Sequence, residues 1–185
     1  MKPYPAAKAY RLLEPGPVVL VTTRAATGRA NIMTMGFHMM VQHDSPPLIG
    51  ACIGPWDFSF AALHETGECV IAIPTVDLAA TMVDIGNCSG RDVDKFARFR
   101  LTEAPARAVR APLIAECLAN IECRVADTAL VDAYGLWILE AVQAWTDPDR
   151  KERRMLHHNG NGTFTVDGRV INLQERMVLW KQFQD

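Results

Sequence analysis

Residues 27–59 read T-G-R-A-N-I-M-T-M-G-F-H-M-M-V, then Q-H-D-S-P-P, then L-I-G-A-C-I-G-P-W-D-F-S, and they carry the main signals of the architecture. A Thr-Gly turn opens this stretch, and an apolar strand that carries Asn31 and Thr34 follows. A Ser-Pro-Pro break ends the extended run, and a second strand starts at Leu48. The hydroxyl of Ser59 then stands where a helix begins. Two neighbouring strands and a polar loop favour a site for a flat ligand with an anionic tail.

The composition is that of a globular protein with a single domain over residues 1–185. Hydrophobic residues make up 49% of the chain and charged residues 22%, and the formal net charge is −2. This charge argues against nucleic acid and anionic membranes as partners. No apolar run reaches the roughly 20 residues of a spanning helix. Five scattered cysteines without a C-x-x-C spacing argue against a disulfide framework and favour a reducing cytoplasm.

The predicted elements are those of a mainly β protein, a barrel with helical decoration. Beyond the opening stretch, the pattern predicts strands over residues 18–23, 69–73, 118–125 and 136–145. It predicts short helices over 58–65, after Thr75 as far as Gly86, and around 93–96. The sequence V-D-G-R-V over 166–170 predicts a two-residue hairpin turn. Helices do not alternate with strands, so we expect a closed antiparallel barrel and not a doubly wound sheet.

Two polar clusters flank the first predicted helix. Thr34 offers a hydroxyl, and Gly36 lets a flat ring approach the backbone, although a core strand that ends in a glycine bulge explains the same residues. The segment from Gly54 to Ser59 reaches a helix N-terminus, where free amides and the helix dipole favour a phosphate. Asp57 and Ser59 suit simple capping of that helix equally well.

Two further clusters lie later in the chain. Small polar residues from Gly86 to Asp94 precede Lys95, which suits either a phosphate-binding loop or a solvated loop with a surface ion pair. His157 and His158 suit hydrogen bonding to a substrate carbonyl, or an exposed turn. Adjacent strand residues point to opposite faces, so these two imidazoles do not readily bind one ion, and we predict no metal site.

Seven short motifs follow one another in one frame: P-G-P-V-V-L-V-T-T, T-G-R-A-N-I-M-T-M, D-S-P-P-L-I-G-A-C-I, F-S-F-A-A-L, T-G-E-C-V-I-A-I-P, G-N-C-S-G-R-D-V-D-K-F and A-P-L-I-A-E-C-L-A-N-I-E-C-R-V. In this order they resemble the flavin reductase-like family, which includes flavoredoxin-type proteins. The similarity extends over roughly residues 15–125 and is looser over 134–177. It implies an FMN-binding split barrel of the antiparallel Greek-key type, with a non-covalent FMN and usually a homodimer.

The resemblance also implies roles for individual residues. The implied cofactor-binding residues are Thr34 and Met35 beside the isoalloxazine ring, Cys52, Ile53 and Gly54 along the ribityl chain, and Ser59, Ser89 and Lys95 towards the phosphate. Gly36 and Trp56 complete the predicted set. Hydride or electron transfer through the flavin requires no side-chain acid or base, so the catalytic residue stays unknown. Its candidates are Thr34, His157 and His158.

One departure from the family pattern affects the phosphate. Many relatives carry an arginine just before the hydroxyl residue, where this chain has Trp56-Asp57-Phe58. Loss of a charge-assisted hydrogen bond lowers affinity by roughly 1–3 kcal/mol. Arg91 is a candidate to compensate. Trp180 and Phe183, in the apolar tail, suit docking on a second subunit or on the chain's own barrel.

The implied activity is that of an NAD(P)H-dependent flavin reductase that passes electrons to a small-molecule or protein acceptor. Two alternatives stay open at this point. One is a flavoredoxin-like electron carrier without NAD(P)H turnover, and the other is a flavin-binding barrel without redox activity. No Rossmann, Walker, zinc-protease or serine-hydrolase motif occurs in the sequence to support a more conventional enzyme.

Overall fold

The computed structural model describes residue 5 and residues 16–177, so the predictions for Trp180 and Phe183 lie outside the described residues. The main strands are β1 (Val19–Arg24), β2 (Ala30–Met35), β3 (His38–Gln42), β4 (Leu48–Cys52), β5 (Glu68–Ile73), β8 (Ala119–Asp127) and β9 (Leu136–Thr146). The short strands are β6 (Glu103–Ala104), β7 (Leu113–Ile114), β10 (Leu156–His158) and β11 (Phe164–Val166). The α-helices are α1 (Phe58–Thr66), α2 (Ala79–Gly86), α3 (Lys95–Phe99) and α4 (Val131–Tyr134), with 3-10 turns at Val76–Leu78 and Gln174–Arg176.

The seven main strands form one antiparallel sheet in the order β2-β1-β5-β8-β9-β4-β3. Side chains alternate across the strands, so each face of the sheet builds a core of its own. Val19 and Val21 of β1 face the core inside the barrel with Trp137, whereas Leu20 packs outside, beneath α2 and α3. The first three residues of β1, Val19 to Val21, are therefore apolar without interruption because the strand is buried on both faces there.

The sheet is split between its two edge strands. β2 and β3 lie at opposite ends of the strand order, although only Gly36 and Phe37 separate them in the chain. The chain thus crosses from one edge of the sheet to the other within two residues, and no strand pairing joins these edges among the described residues. The prediction of an antiparallel split barrel with helical decoration is confirmed. The expectation of a closed barrel is wrong, because the sheet stays open between β2 and β3 among the described residues.

The prediction of a hairpin turn within residues 166–170 is wrong. β10 and β11 do form a hairpin, but its turn lies between His158 and Phe164, earlier in the chain. Asp167 follows β11 and does not reverse the chain. Its carboxylate accepts the main-chain N–H of Met155 at 2.9 Å, and its own N–H donates to the Met155 carbonyl at 3.0 Å. These two bonds fix Asp167 beside the start of β10, and β11 ends at the residue before it.

The helices sit where the sequence places them, with small shifts at their ends. Gly67 ends α1 in the left-handed conformation, with φ at 65°, as its position predicts. In α2 the side chains of Met82 and Ile85 are buried against the sheet, whereas Val83 is exposed. Over the described residues, none of the helices is both long and apolar enough to cross a bilayer.

Candidate functional site

Two cavities meet where β2 passes α2. The larger, with a volume of about 810 Å³, lies at the split of the barrel, and we call it the apolar cavity. The smaller, of about 300 Å³, lies between the start of α1 and the loop after α2, and we call it the polar cavity. Thr34, Gly86 and Asn87 line both of them. A ligand with two chemically different ends can therefore occupy the two cavities together.

The N-terminus of α1 presents free amides at the polar cavity. Asp57 occupies the N-cap position, but its side chain makes no cap and instead accepts the main-chain N–H of Gly54 at 2.9 Å. The N–H groups of Phe58 and Ser59 have no acceptor among the described residues. An uncapped helix start of this kind carries the positive end of the helix dipole and binds anions.

The loop after α2 faces this helix start across the polar cavity. The main-chain N–H groups of Cys88, Ser89 and Gly90 likewise find no acceptor in the part of the chain that the structure describes. All three residues line the cavity, as does Lys95 at the start of α3. Consecutive free amides next to a cation form an anion-binding concavity.

Lys95 is the charged group of the polar cavity. Its side chain is only 5% exposed, and its Nζ donates to the main-chain oxygen of Ile85 at 2.9 Å. Burial lowers the pKa of Lys95 below its ordinary value of 10.5, and the charge of the nearby Asp57 carboxylate opposes this shift. Among the described residues no carboxylate forms an ion pair with this ammonium. A buried cation without a counter-ion is poised for an anionic ligand.

The apolar cavity is built from three walls. The first is the crossing from β2 to β3 with the adjacent β4, the second is the end of α2, and the third is the β10–β11 hairpin. Its principal lining residues are Thr34, Gly36, Phe37, His38, Met39, Cys52, Met82, Val83, His158 and Phe164. None of the described residues that line it is Asp, Glu, Lys or Arg. Such a cavity suits a flat, uncharged group.

The structure separates the two adjacent histidines of β10. His158 lines the apolar cavity, its ring packs on Phe164 at 5.0 Å between centroids, and its Nε2 accepts the N–H of Gly162. His157 points to the other side, where its Nε2 lies 3.3 Å from a carboxylate oxygen of Asp167. Of these two histidines, only His158 is placed to meet a ligand in the cavity. Across the described residues, no three His, Cys, Asp or Glu side chains gather to hold a metal ion.

The structure brings together six of the ten predicted cofactor-binding residues as cavity walls. They are Thr34, Gly36 and Cys52 on the apolar cavity, and Thr34, Trp56, Ser89 and Lys95 on the polar cavity. The other four, Met35, Ile53, Gly54 and Ser59, are buried and line neither cavity. These four residues therefore contact a cofactor only through main-chain atoms, or only if the site opens slightly.

Two of the predicted hydroxyl groups are already engaged. Thr34 Oγ1 donates to the main-chain oxygen of Met82 at 2.6 Å, which fixes β2 to α2. Ser59 Oγ accepts from Asn31 Nδ2 at 2.8 Å in the buried layer beneath α1. Partial burial also raises the pKa of the Cys52 thiol above its ordinary 9.0, so this side chain is a neutral wall of the cavity and no nucleophile. Neither of these hydroxyl groups nor the Cys52 thiol is thus an activated acid or base.

Sequence reasoning missed Arg29. Arg91, the predicted compensating residue, does not line the polar cavity. Both arginines line a groove on the far side of Phe58, and the guanidinium of Arg29 lies 5.4 Å from the centroid of that ring. In the loop after α2, Arg29 contacts main-chain oxygens that are more than 60 residues away along the chain, so no local sequence pattern predicts these contacts.

This geometry agrees with the family comparison. Residues 11–164 match the flavin reductase-like domain. The chain belongs to that family. A protein of Escherichia coli strain K12, the uncharacterised protein YddH, is 31% identical to it over 176 residues, which cover 88% of this chain and 93% of that protein.

Solved structures of similar proteins share the fold. Flavoredoxin of Desulfovibrio vulgaris (Miyazaki F) superposes with a TM-score of 0.83 at 23% identity, covering 93% of this chain and 96% of that one. An FMN-binding domain of a flavin reductases-like enzyme from Shewanella baltica OS155 gives a TM-score of 0.78 at 26% identity, covering 91% and 95%. The split barrel with its two edge strands is therefore the architecture of the family.

Proposed function

We propose that this protein binds FMN non-covalently across the two cavities and acts as a flavin reductase. In this proposal electrons from NAD(P)H pass through the flavin to a small-molecule or protein acceptor. The observation that carries it is the buried Lys95 ammonium in a cavity of free main-chain amides that opens onto an uncharged cavity. FMN has the same two parts, a phosphate dianion and a flat ring.

The polar cavity supplies what the phosphate needs. The ammonium of Lys95 and the free N–H groups at residues 58–59 and 88–90 offer donors from two sides. Because Lys95 is already desolvated, an incoming phosphate meets a cation that has lost most of its competing water. The Asp57 carboxylate is turned back to Gly54 N and does not occupy this position.

The apolar cavity supplies what the ring needs. When bound, FMN supplies two-electron redox chemistry. Residues of β2 and β4 would hold the ring, Phe37 and Met39 would shield it from water, and His158 would be left to hydrogen-bond a partner molecule. The family's Shewanella baltica relative is described as FMN-binding, which supports this assignment.

The proposal includes a homodimer. Edge strand β3 and the residue before it expose several large apolar side chains: Phe37 is 66% exposed, Met39 55%, Met40 59% and Val41 49%. An exposed apolar edge strand readily pairs with a strand of another chain, and proteins normally cover such a strand. A second copy of the chain, docked on β3, would cover it and close the open side of the apolar cavity.

A cytoplasmic location belongs to the same proposal. All five cysteines are free thiols in the structure. Cys69 and Cys123 are register partners across β5 and β8, yet they remain unbonded. A hydrogen bond with Cys123, together with burial, raises the pKa of Cys69 well above its ordinary 9.0. Unoxidised neighbouring thiols are what a reducing compartment favours.

A second candidate function is an electron carrier without NAD(P)H turnover. The observation that favours it is the absence of charged side chains among the described residues that line the apolar cavity. A nicotinamide dinucleotide carries two further phosphates, and this cavity offers them no cation. An uncharged electron donor or acceptor fits the cavity better. A protein that docks near the flavin is equally compatible with it. A flavin-binding barrel without redox activity remains the third possibility.

The visible spectrum of the purified protein separates these functions. We would record it before and after addition of FMN, and then add NADH or NADPH without oxygen. A flavin spectrum that bleaches with either nucleotide supports the reductase. A bound flavin that resists both but bleaches with dithionite supports the carrier. Failure to bind FMN in excess rejects the proposal.

A further inference from the structure

Arg29, the residue just before β2, holds the loop after α2 in place. Arg29 Nη2 donates to the main-chain oxygen of Gly90 and, at 3.3 Å, to that of Arg91. The same guanidinium lies over the ring of Phe58, the first residue of α1, at 5.4 Å from its centroid. One side chain thus contacts both walls of the polar cavity. A planar guanidinium is suited to this because it donates as a fork and stacks at the same time.

Asn31 makes a second connection between the same elements. Its Nδ2 donates to Ser59 Oγ at 2.8 Å, which ties β2 to the first turn of α1. Its Oδ1 is buried against Gly90, and a Cβ at Gly90 would overlap both this oxygen and the Phe58 ring. The loop can therefore approach α1 this closely only because residue 90 is glycine.

We propose that Arg29 and Asn31 are positioning residues that make this site select phosphorylated flavin over riboflavin. This inference rests on the proposed function. The free amides of the cavity belong to two separate segments, residues 58–59 and 88–90, and they form one anion site only while those segments stay at a fixed separation. Arg29 sets that separation from outside the polar cavity and Asn31 sets it from the cavity wall, because both act on Gly90 and on the first turn of α1.

Arg29 and Asn31 together hold the loop after α2 against α1, and we call this pair the clamp. The clamp also accounts for the departure from the family pattern at residues 56–58. An arginine in that segment would supply a charge directly to the phosphate. Here Phe58 instead provides the ring on which Arg29 stacks. Arg29 therefore acts through the loop that it holds, and Lys95 remains the cation that faces the cavity. Arg91 differs from Arg29, since its guanidinium makes no hydrogen bond to any described residue.

The test compares FMN with riboflavin, which lacks the phosphate. The ligand-free protein and its Arg29→Ala, Arg29→Lys and Asn31→Ala variants are titrated with each flavin, and quenching of flavin fluorescence gives the dissociation constants. We expect Arg29→Ala to weaken FMN binding about tenfold and to leave riboflavin binding within about twofold. Arg29→Lys should lose nearly as much, because a lysine cannot bridge the two carbonyls or stack. Arg107→Ala, an exposed arginine outside the cavities, is the matched control.

Three results would overturn the inference. Equal weakening of both flavins means that the residues serve folding alone. Full rescue by Arg29→Lys means that a diffuse charge, and not the clamp, is responsible. Unchanged FMN binding in both Arg29→Ala and Asn31→Ala means that neither residue positions the loop. If the unaltered protein binds riboflavin and FMN equally, the clamp fails while flavin binding stands; if it binds neither, the proposed function fails.

A second readout follows the loop directly. Amide hydrogen exchange of residues 86–91 should become slower when FMN binds to the unaltered protein and should respond much less in Arg29→Ala. Slowing of the same size in both proteins would reject the clamp, whatever the dissociation constants.

Discussion

The Nζ of Lys95 donates to the main-chain oxygen of Ile85 at 2.9 Å, and this bond ties the start of α3 to the last turn of α2 at the polar cavity. The cation is buried there, and none of the described carboxylates forms an ion pair with it. Replacing it with a side chain of similar length and no charge, Lys95→Met, should raise the dissociation constant for FMN at least about tenfold. Riboflavin should bind as before, because it has no phosphate. Equilibrium titration with both flavins measures this.

The same variant should stabilise the ligand-free protein by about 1 kcal/mol, because burial of the ammonium is unfavourable. The pKa of Lys95 lies below 10.5 in the folded protein. The folded state therefore binds fewer protons than the unfolded state between that lowered pKa and 10.5, and stability contributed by this group rises with pH in that window. Lys151→Met, at an exposed lysine, is the control. FMN affinity unchanged in Lys95→Met would remove Lys95 from the site.

Much of this site follows from local sequence signals. The strand that ends at Gly36, the helix that starts after Asp57 and the polar loop before Lys95 are all read from patterns within ten residues. The position of Lys95 in a cavity, opposite the start of α1, follows from the family resemblance and not from the pattern. Periodicity places residues on elements, but it does not state which elements pack together.

The unpredicted features depend on contacts between distant segments. Arg29 bonds to main-chain oxygens of residues 90 and 91, and any residue supplies such an oxygen, so the pairing leaves no trace in residue type. The hairpin was misplaced for a related reason. The Asp-Gly signal at 167–168 is strong locally, but the Asp167 carboxylate is committed to Met155 N and His157. Tertiary bonding overrode the local turn preference.

Thr34 is expected to act through its hydrogen bond to α2. Its hydroxyl already donates to the Met82 oxygen at 2.6 Å, so it is not free to donate to a ligand. Thr34→Val keeps the shape and removes the donor, and it should lower the free energy of unfolding by about 1–2 kcal/mol. FMN affinity should fall a few-fold, because α2 carries Gly86 into both cavities. Thr34→Ser should restore both values. Urea unfolding and FMN titration of the two variants check this, and wild-type values in Thr34→Val would contradict it.

His157 and His158 should differ in what they affect. His158 faces the apolar cavity, so His158→Ala should raise the KM for an electron acceptor several-fold with little change in stability. His157→Ala removes the contact with Asp167 and should lower the free energy of unfolding by about 0.5–1 kcal/mol without changing that KM. Each variant is the control for the other, measured by steady-state kinetics and urea unfolding. An equal effect of both on KM would show that the hairpin acts only as a whole.

Glu122 is expected to govern stability in acid. Its side chain is fully buried and accepts N–H groups from Arg107, Ala108 and Val109 and from the Trp145 indole, the last at 2.6 Å. Burial alone would raise the pKa of Glu122, but these donors lower it below the ordinary 4.5. The stability that this group adds is therefore complete above about pH 4.5 and is lost as the pH falls through the lowered value.

Glu122→Gln should consequently lower the free energy of unfolding by about 2–3 kcal/mol at pH 7, because a neutral amide accepts fewer bonds and places an N–H₂ against N–H donors. The difference from the unaltered protein should shrink as the pH falls towards 3. Urea unfolding at several pH values, followed by tryptophan fluorescence, measures it. Glu140→Gln on the neighbouring strand β9 is the control, and a difference that is constant with pH would contradict the argument.

The last prediction concerns the exposed edge of the sheet. Met39 and Met40 are neighbours on β3 and point to opposite sides, so Met39 lines the apolar cavity whereas Met40, 59% exposed, does not. If two copies of the chain pair over this strand, Met40→Lys places a charge in their interface and should weaken the dimer by about a hundredfold or more. The fold should persist, because the side chain contributes to no core. Leu130→Lys, at another exposed apolar position, should leave the assembly intact. Sedimentation equilibrium of the three proteins decides the matter: a monomeric unaltered protein, or a Met40→Lys variant that dimerises as strongly as Leu130→Lys, would show that β3 is covered in some other way.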